Sequence, residues 1–247
     1  MMFFANKELD ISFSENLEFN YENLIGRRII FLNPYSVVNL YKDRLFAKTI
    51  EDNCIAYIDG IFLKLLMSAT KGKSKRVTGL TYTLDFLRFH NDRKSTREIT
   101  FVGGKPGSGE LLLKKITKNY ANLKIKYLPM PIWDSSLKGV VDFIKEQLRD
   151  EGIIFISATA PKQEKIAKLI HESNKNCLIV CVGAVFDYLS GQVTPPPRWI
   201  SLIGLEWLYR LFKEPKRMFK RLFPSLVLFP LYFLANLKRF KIIKEIN

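Results

Sequence analysis

From Arg28 to Val182 the chain alternates short apolar runs with segments of helical periodicity, and this alternation constrains the fold more than any other feature. Arg28–Leu32, Cys54–Ile58, Glu98–Val102, Leu123–Tyr127, Gly152–Ile156 and Cys177–Val182 read as buried strands. Val37–Lys48, Ile61–Thr70, Thr81–His90, a segment ending at Tyr120, Leu137–Arg149 and Pro161–Ser173 read as helices between them. A helix between two strands returns the chain to the edge it started from, so such strands run parallel. Strands apolar on both sides need cover on both faces. The expected fold class is therefore α/β, a mostly parallel sheet with flanking helices. The stretch before about Leu24 is polar and mixed, and reads as an irregular lead-in or an edge element.

In such sheets ligands gather beyond the carboxyl ends of the strands. The turns to inspect are Asn33-Pro34, Asp59-Gly60, Gly103-Gly104, Ser157–Gln163 and Gly183–Asp187. Asp59 ends an apolar strand and projects a carboxylate where a general base would stand. A turn former or a helix cap is the competing reading. Gly103–Gly109 follows a strand and opens a helix, a place where backbone N–H groups can hold phosphate. It fits neither a Walker loop nor the dinucleotide fingerprint, and a plain glycine turn explains it as well. Pro161 and Glu164 suit the first turn of a helix without any functional role. Gln163 has no such explanation, and its amide suits a sugar or a base.

The net charge is +15, and residues 198–247 hold 11 Lys and Arg against 3 Asp and Glu. About half the excess therefore sits in the last fifth of the chain, where an anionic partner is expected. Pro195-Pro196-Pro197 marks a boundary, dividing a core over 1–197 from a basic, apolar appendage over 198–247. Arg210, Arg217 and Arg221 would share a face of an unbroken helix, but Pro215 interrupts it. Leu222–Leu237 carries no charge, yet at sixteen residues with Pro224 and Pro230 inside it is short of the roughly 20 apolar residues of a bilayer span. An interfacial segment with basic flanks fits better. Cys54, Cys177 and Cys181 are odd in number and lie in apolar runs, which argues against a disulfide framework and for a reducing compartment, and Cys177 and Cys181 fit a buried strand better than a metal site. No N-terminal secretory signal is expected. The chain has no Asp-x-Asp triplet, so no metal is expected. Arginine, lysine or helix N-termini would then balance the charge of a leaving diphosphate.

Asp59-Gly60, Arg76-Val-Thr-Gly79, Phe101-Val-Gly-Gly104, Pro161-Lys-Gln-Glu164, Gly183-Ala-Val-Phe-Asp187, Gly191, and Gly204-Leu-Glu-Trp-Leu-Tyr-Arg210 through Glu214-Pro215 and Arg217 occur in order. The set, spanning roughly 28–221, resembles the WecG/TagA/CpsF glycosyltransferases of bacterial surface-polysaccharide and teichoic-acid synthesis. The resemblance implies a Rossmann-like core, no cofactor, no metal, and inverting transfer from a UDP-sugar to a polyprenyl-diphosphate-linked sugar. It implies a peripheral position on the cytoplasmic leaflet of the membrane, and leaves a homo-oligomer open. The family's base falls on Asp59, and its glutamine near the donor on Gln163. Its diphosphate-gripping arginines fall on Arg210 and Arg217, with Lys220 or Arg221 third. Asn33, Arg76, Thr78, Gly103, Gly104 and Gly183 are expected around the substrates. Two positions depart from the family pattern. Phe31 stands where many members have threonine, and Pro195-Pro196-Pro197 where many have Arg-Ala-Pro. The alternatives are an epimerase-like sugar-nucleotide enzyme and a basic nucleic-acid-binding protein. A glycine fingerprint unlike the dinucleotide one argues against the first. Localised Trp-Arg chemistry beside an apolar tail argues against the second, so no nucleic-acid partner is expected.

Overall fold

The computed structural model describes residues 11–130, 136–148, 152–202 and 204–243, with the side chains of residues 198, 202, 217, 220, 221 and 224 left outside that description. Six parallel strands form the main sheet: β2 (Arg28–Leu32), β3 (Cys54–Ile58), β4 (Glu98–Gly103), β5 (Lys124–Leu128), β6 (Ile153–Ser157) and β7 (Leu178–Cys181). Their spatial order is β3-β2-β7-β6-β4-β5. The two halves of the sheet meet where β2 pairs with β7. All six strands end on one edge, so the five turns singled out from the sequence lie along a common rim.

Alternate residues of each strand feed two separate cores, as the two-residue period requires. Ile30, Leu32, Ala56, Ile58, Ile154, Ile156, Ile179 and Cys181 belong to one buried cluster. Helices α2 (Pro34–Lys42), α7 (Leu137–Gln147) and α8 (Lys162–Ser173) contribute to it. Ile29, Phe31, Ile55, Tyr57, Ile153, Phe155, Leu178 and Val180 belong to the other. Helices α5 (Gly79–Asp92), α6 (Ser108–Asn119) and α9 (Val185–Ser190) contribute to that one. Helix α4 (Ile61–Lys71) follows β3 directly. The expected α/β class, a mostly parallel sheet with flanking helices, is the fold observed.

Several local expectations need correction. Val37–Lys48 is not one helix. Asn33 caps α2 through its side chain, and the chain turns at Asp43. The Asp43 carboxylate then accepts from the Phe46 N–H at 3.0 Å to start a short α3 (Arg44–Ala47). A cap residue inside the apolar period split the helix. The lead-in before Leu24 holds a strand, β1 (Ile11–Ser14), and a turn of helix, α1 (Tyr21–Leu24).

The C-terminal region holds α10 (Arg198–Leu202), α11 (Glu206–Lys213), α12 (Pro215–Ala235) and β8 (Phe240–Ile243). The expected break at Pro215 is present, because Glu214 leaves the helical region at φ −138° and the proline opens α12. Pro224 and Pro230, by contrast, do not break α12, which runs 21 residues through both. An internal proline costs a hydrogen bond and bends the axis. Tertiary packing compensates here: Phe229, Tyr232 and Phe233 are at most 2% exposed, and Tyr232 meets Tyr41 of α2 at 5.3 Å between ring centres. β8 pairs in parallel with β1, Ile11 opposite Phe240. The first and last strands among the described residues thus pair with each other.

Candidate active site

The site is assembled where β3 ends. The Asp59 N–H donates to the Leu32 carbonyl at 2.8 Å, carrying the ladder one step beyond the strands. Gly60 then turns the chain into α4 in a space with no room for a side chain: a Cβ there would lie 2.8 Å from Pro34 Cδ. This close approach holds the Asp59 turn against the Asn33 turn. The Asp59 carboxyl is partly buried and makes no hydrogen bond among the described residues. Burial pushes its pKa up to about 6. Arg76 and Arg210 pull the value down, and Glu206 pushes it up further.

Those three charged groups come from two places. Arg76 precedes α5, while Glu206 and Arg210 stand on α11. Arg76 donates to the Ser201 carbonyl at 3.0 Å and pairs with the Glu206 carboxylate. Arg210 lies 5.2 Å from the centre of the Tyr188 ring. The Nε groups of Arg76 and Arg210 are both buried without a hydrogen-bond partner among the described residues. Arg76 and Arg210, each with one unsatisfied Nε–H, are therefore the two cations that act on a carboxyl half charged near pH 6. A buried donor without a partner costs free energy that an anionic ligand would recover.

Beside this cluster is a cavity of about 260 Å³ lined by Lys105, Asp187, Tyr188, Gln192, Tyr209 and Arg210, among others. It lies between the Gly104 loop, α9 and α11. Lys105 faces Asp187 at 3.7 Å. Asp59 does not line the cavity; Arg210 is the residue common to both.

Asn33 Oδ1 accepts from the Ser36 N–H at 3.0 Å as the cap of α2. Thr78 Oγ1 accepts from the Thr81 N–H at 3.1 Å as the cap of α5. Gln163 is 5% exposed, and its amide is spent within the fold. Its Oε1 accepts from Gly183 N–H at 2.9 Å, and its Nε2 donates to Glu164 at 2.8 Å. It pins the β7 exit turn to α8 instead of presenting its amide to a ligand. Glu164 is not a solvated first-turn charge either, because burial raises its pKa to about 7. Gly103 and Gly104 have φ of +99° and +85°. The Gly104 N–H donates to Ser157 O at 2.9 Å, so it is not available to cradle phosphate. Gly183 has φ +65° and open space around it. Arg217, Lys220 and Arg221 fall on the first turns of α12, and their side chains lie outside the described residues. Phe31 points into the second core against Tyr57 and Tyr82.

Sequence reasoning missed Lys105, Tyr188, Gln192 and the role of Glu206. Glu206 and Arg210 are four residues apart, which suggests a surface pair on one helix. The observed pair joins Glu206 to Arg76 across 130 residues. Lys105 and Asp187 sit in two of the inspected turns, so strand-exit position was the available signal.

A family model described as the glycosyl transferase WecG/TagA/CpsF family matches residues 10–242. That is wider than the motif set and takes in part or all of both terminal strands. Among characterised relatives, the N-acetylglucosaminyldiphosphoundecaprenol N-acetyl-beta-D-mannosaminyltransferase of Bacillus subtilis (strain 168) is 27% identical over 210 residues, covering 83% of this chain and 79% of its own length.

Proposed function

The chain belongs to the glycosyl transferase WecG/TagA/CpsF family, and from that premise we propose that it transfers an N-acetylmannosamine-type sugar from a UDP-sugar to a polyprenyl-diphosphate-linked acceptor sugar. The relative is named for transfer to an N-acetylglucosaminyl-diphosphoundecaprenol, which supports a lipid-diphosphate acceptor and a cell-surface polymer such as teichoic acid. The observation that carries the reading is the family match over residues 10–242, with Asp59 at the β3 exit and the Arg76 and Arg210 charges acting on its carboxyl.

In this reading an acceptor hydroxyl attacks the anomeric carbon of the donor from the face opposite UDP. The new C–O bond forms as the bond to the diphosphate oxygen breaks, with inversion, and the hydroxyl proton passes to Asp59. With a pKa of about 6, about nine-tenths of Asp59 is ionised at pH 7 and ready to accept it. Arg210 meets the negative charge developing on the leaving diphosphate through a preoriented donor. Arg217, with Lys220 or Arg221, belongs to the same proposed clamp. The cavity of about 260 Å³ falls just below the roughly 300–1,000 Å³ usual for whole ligands. It therefore suits part of the nucleotide, with the sugar extending past Arg210 toward Asp59. Asn33 and Gly183 border the path; Gln163, Thr78, Gly103 and Gly104 support it by shaping its walls.

The acceptor's lipid calls for a membrane surface. Phe212, Phe219, Phe223, Leu231 and Leu234 are 60–78% exposed on α11 and α12, near basic residues of the same segment. No helix among the described residues is long and apolar enough to cross a membrane. Peripheral attachment at the cytoplasmic leaflet fits both facts.

The test is UDP release from a panel of UDP-sugars with a synthetic polyprenyl-diphosphate N-acetylglucosamine, with chelator present. Turnover is expected only with donor and acceptor together. Asp59→Asn should cut turnover by about 10²–10⁴-fold while leaving UDP affinity unchanged. Near-normal turnover in that variant would falsify the assignment of the base.

A further inference from the structure

Arg210 joins Asp59 and Arg76 only because α10 and α11 are seated on the β3 exit, and the seat has two fasteners. One is steric. Gly204, in the turn between α10 and α11, has φ +76°, and a Cβ there would lie 2.4 Å from Ile61 Cβ, two residues past Asp59. The other is ionic. The Arg76 guanidinium takes the Ser201 carbonyl at the end of α10 and the Glu206 carboxylate at the start of α11. One side chain of the core thus grips both sides of the Gly204 turn. Arg210 is one helical turn beyond Glu206, so whatever fixes Glu206 fixes the phase of Arg210. The backbone bonds across the turn, Gly204 N–H to Ser201 O at 3.1 Å and Leu205 N–H to Ile200 O at 3.0 Å, make the two short helices move together.

We propose that Glu206 is a positioning residue, clasped by Arg76 so that α11 is docked with Arg210 facing Asp59, and that release of this clasp opens the site. Glu206 does not itself meet substrate in this scheme. Its charge has a second effect, which makes the idea separable from plain structural support. The charged groups facing Asp59 are Arg76, Glu206 and Arg210. Removing the Glu206 charge removes a repulsion and leaves Arg76 uncompensated. Undocking α11 also restores water to the carboxyl. Each of these two changes lowers the pKa of Asp59; the loss of Arg210 opposes them but ranks below burial among the causes of the shift.

The experiment uses the full chain and compares wild type with Glu206→Gln and Glu206→Asp. Hydrogen exchange is read over residues 198–214, and the acid limb of the kcat/KM profile is read in the transfer assay. In Glu206→Gln, exchange over 198–214 should rise about tenfold, with the strands of the main sheet unchanged, and the acid limb should move below 6. Glu206→Asp keeps the charge and should hold the limb near 6. It is also the milder change should the glutamine variant fold poorly, and a limb displaced to the same low pH in it would count against the scheme. Unchanged exchange over 198–214 in Glu206→Gln would overturn the clasp. Lower activity with an unmoved limb would reduce Glu206 to structural support. The kinetic arm rests on the proposed transferase reading and the exchange arm does not, so a wild type inactive in the assay would fail that reading alone.

Discussion

Asp59 and Glu164 are two carboxyls at the same edge of one sheet, both moved upward by burial, with different consequences. Asp59 is faced by two arginines and keeps a pKa of about 6, whereas Glu164, with hydrogen bonds from Gln163 and from its own backbone but no facing cation among the causes of its shift, reaches about 7. Glu164 Oε2 has no partner among the described residues. Its folded pKa lies above its ordinary value of 4.5, so the fold prefers the protonated form. The associated stability is complete below pH 4.5 and is lost as pH rises through 7, a swing on the order of 3 kcal/mol. Glu164→Gln removes the ionisable group while keeping its shape. The variant should gain stability relative to wild type at pH 8 and lose the pH dependence between 4.5 and 7, as read from denaturant midpoints at pH 5 and pH 8. A wild type equally stable at both pH values would contradict this account. Gln163 shows the same principle. A buried amide must be satisfied, and here the Gly183 N–H of the β7 exit and the Glu164 carboxylate satisfy it.

At the scale of elements, the residues expected to touch substrate are largely those that begin helices. Asn33 starts α2, Thr78 starts α5 and Gln163 stands in the first turn of α8. The coincidence has a cause: in a parallel sheet every strand exit is also a helix entrance, so capping side chains and site side chains occupy the same few positions. Substitution separates the two roles at Asn33. Asn33→Ala should cost about 1 kcal/mol of stability through the lost cap, whereas Asn33→Ser caps equally well and should cost little. Turnover that falls in both variants would assign the side-chain NH₂ to substrate. Turnover that falls only with stability would leave Asn33 a cap. Helix α11 belongs at this scale too, since it is eight residues long with no buried residue of its own. A helix that short is not stable alone. It holds its place through Gly204 and the Arg76 clasp, which makes it the element best suited to move.

At the scale of the molecule, the C-terminal region has two parts with different surroundings. Its first part, α10 and α11, rests on the site. Its last part, the second half of α12 with β8, completes the larger core, where Phe229, Tyr232, Phe233 and Phe240 are at most 2% exposed. Ending the chain after Leu222 would remove all four, at about 3–5 kcal/mol for each large aromatic. The total, about 12–20 kcal/mol, equals or exceeds the roughly 5–15 kcal/mol by which a domain is stable. Truncation therefore tests folding before it tests membrane binding. Substitution on the exposed face is the sounder probe. Phe219 and Phe223 stack at 5.9 Å and are 63% and 60% exposed. Replacing both with serine should weaken co-sedimentation with anionic vesicles and leave the thermal midpoint within a few degrees. Retention on vesicles equal to wild type would show that this face is not the anchor.

The sequence by itself determined the parallel α/β sheet, its strand boundaries to within a residue or two, and the rim on which Asp59 stands. These follow from local periodicity, which a chain carries residue by residue. It also held the motif set that marks the family. Only the tertiary structure decided which polar groups at that rim remain available. The partner of Arg76 is 130 residues away, the Gln163 amide is claimed by a neighbouring strand exit, and α12 runs through two prolines because the core supports it. Hydrogen-bond satisfaction and packing are properties of neighbours in space, and no spacing along the chain encodes who those neighbours will be.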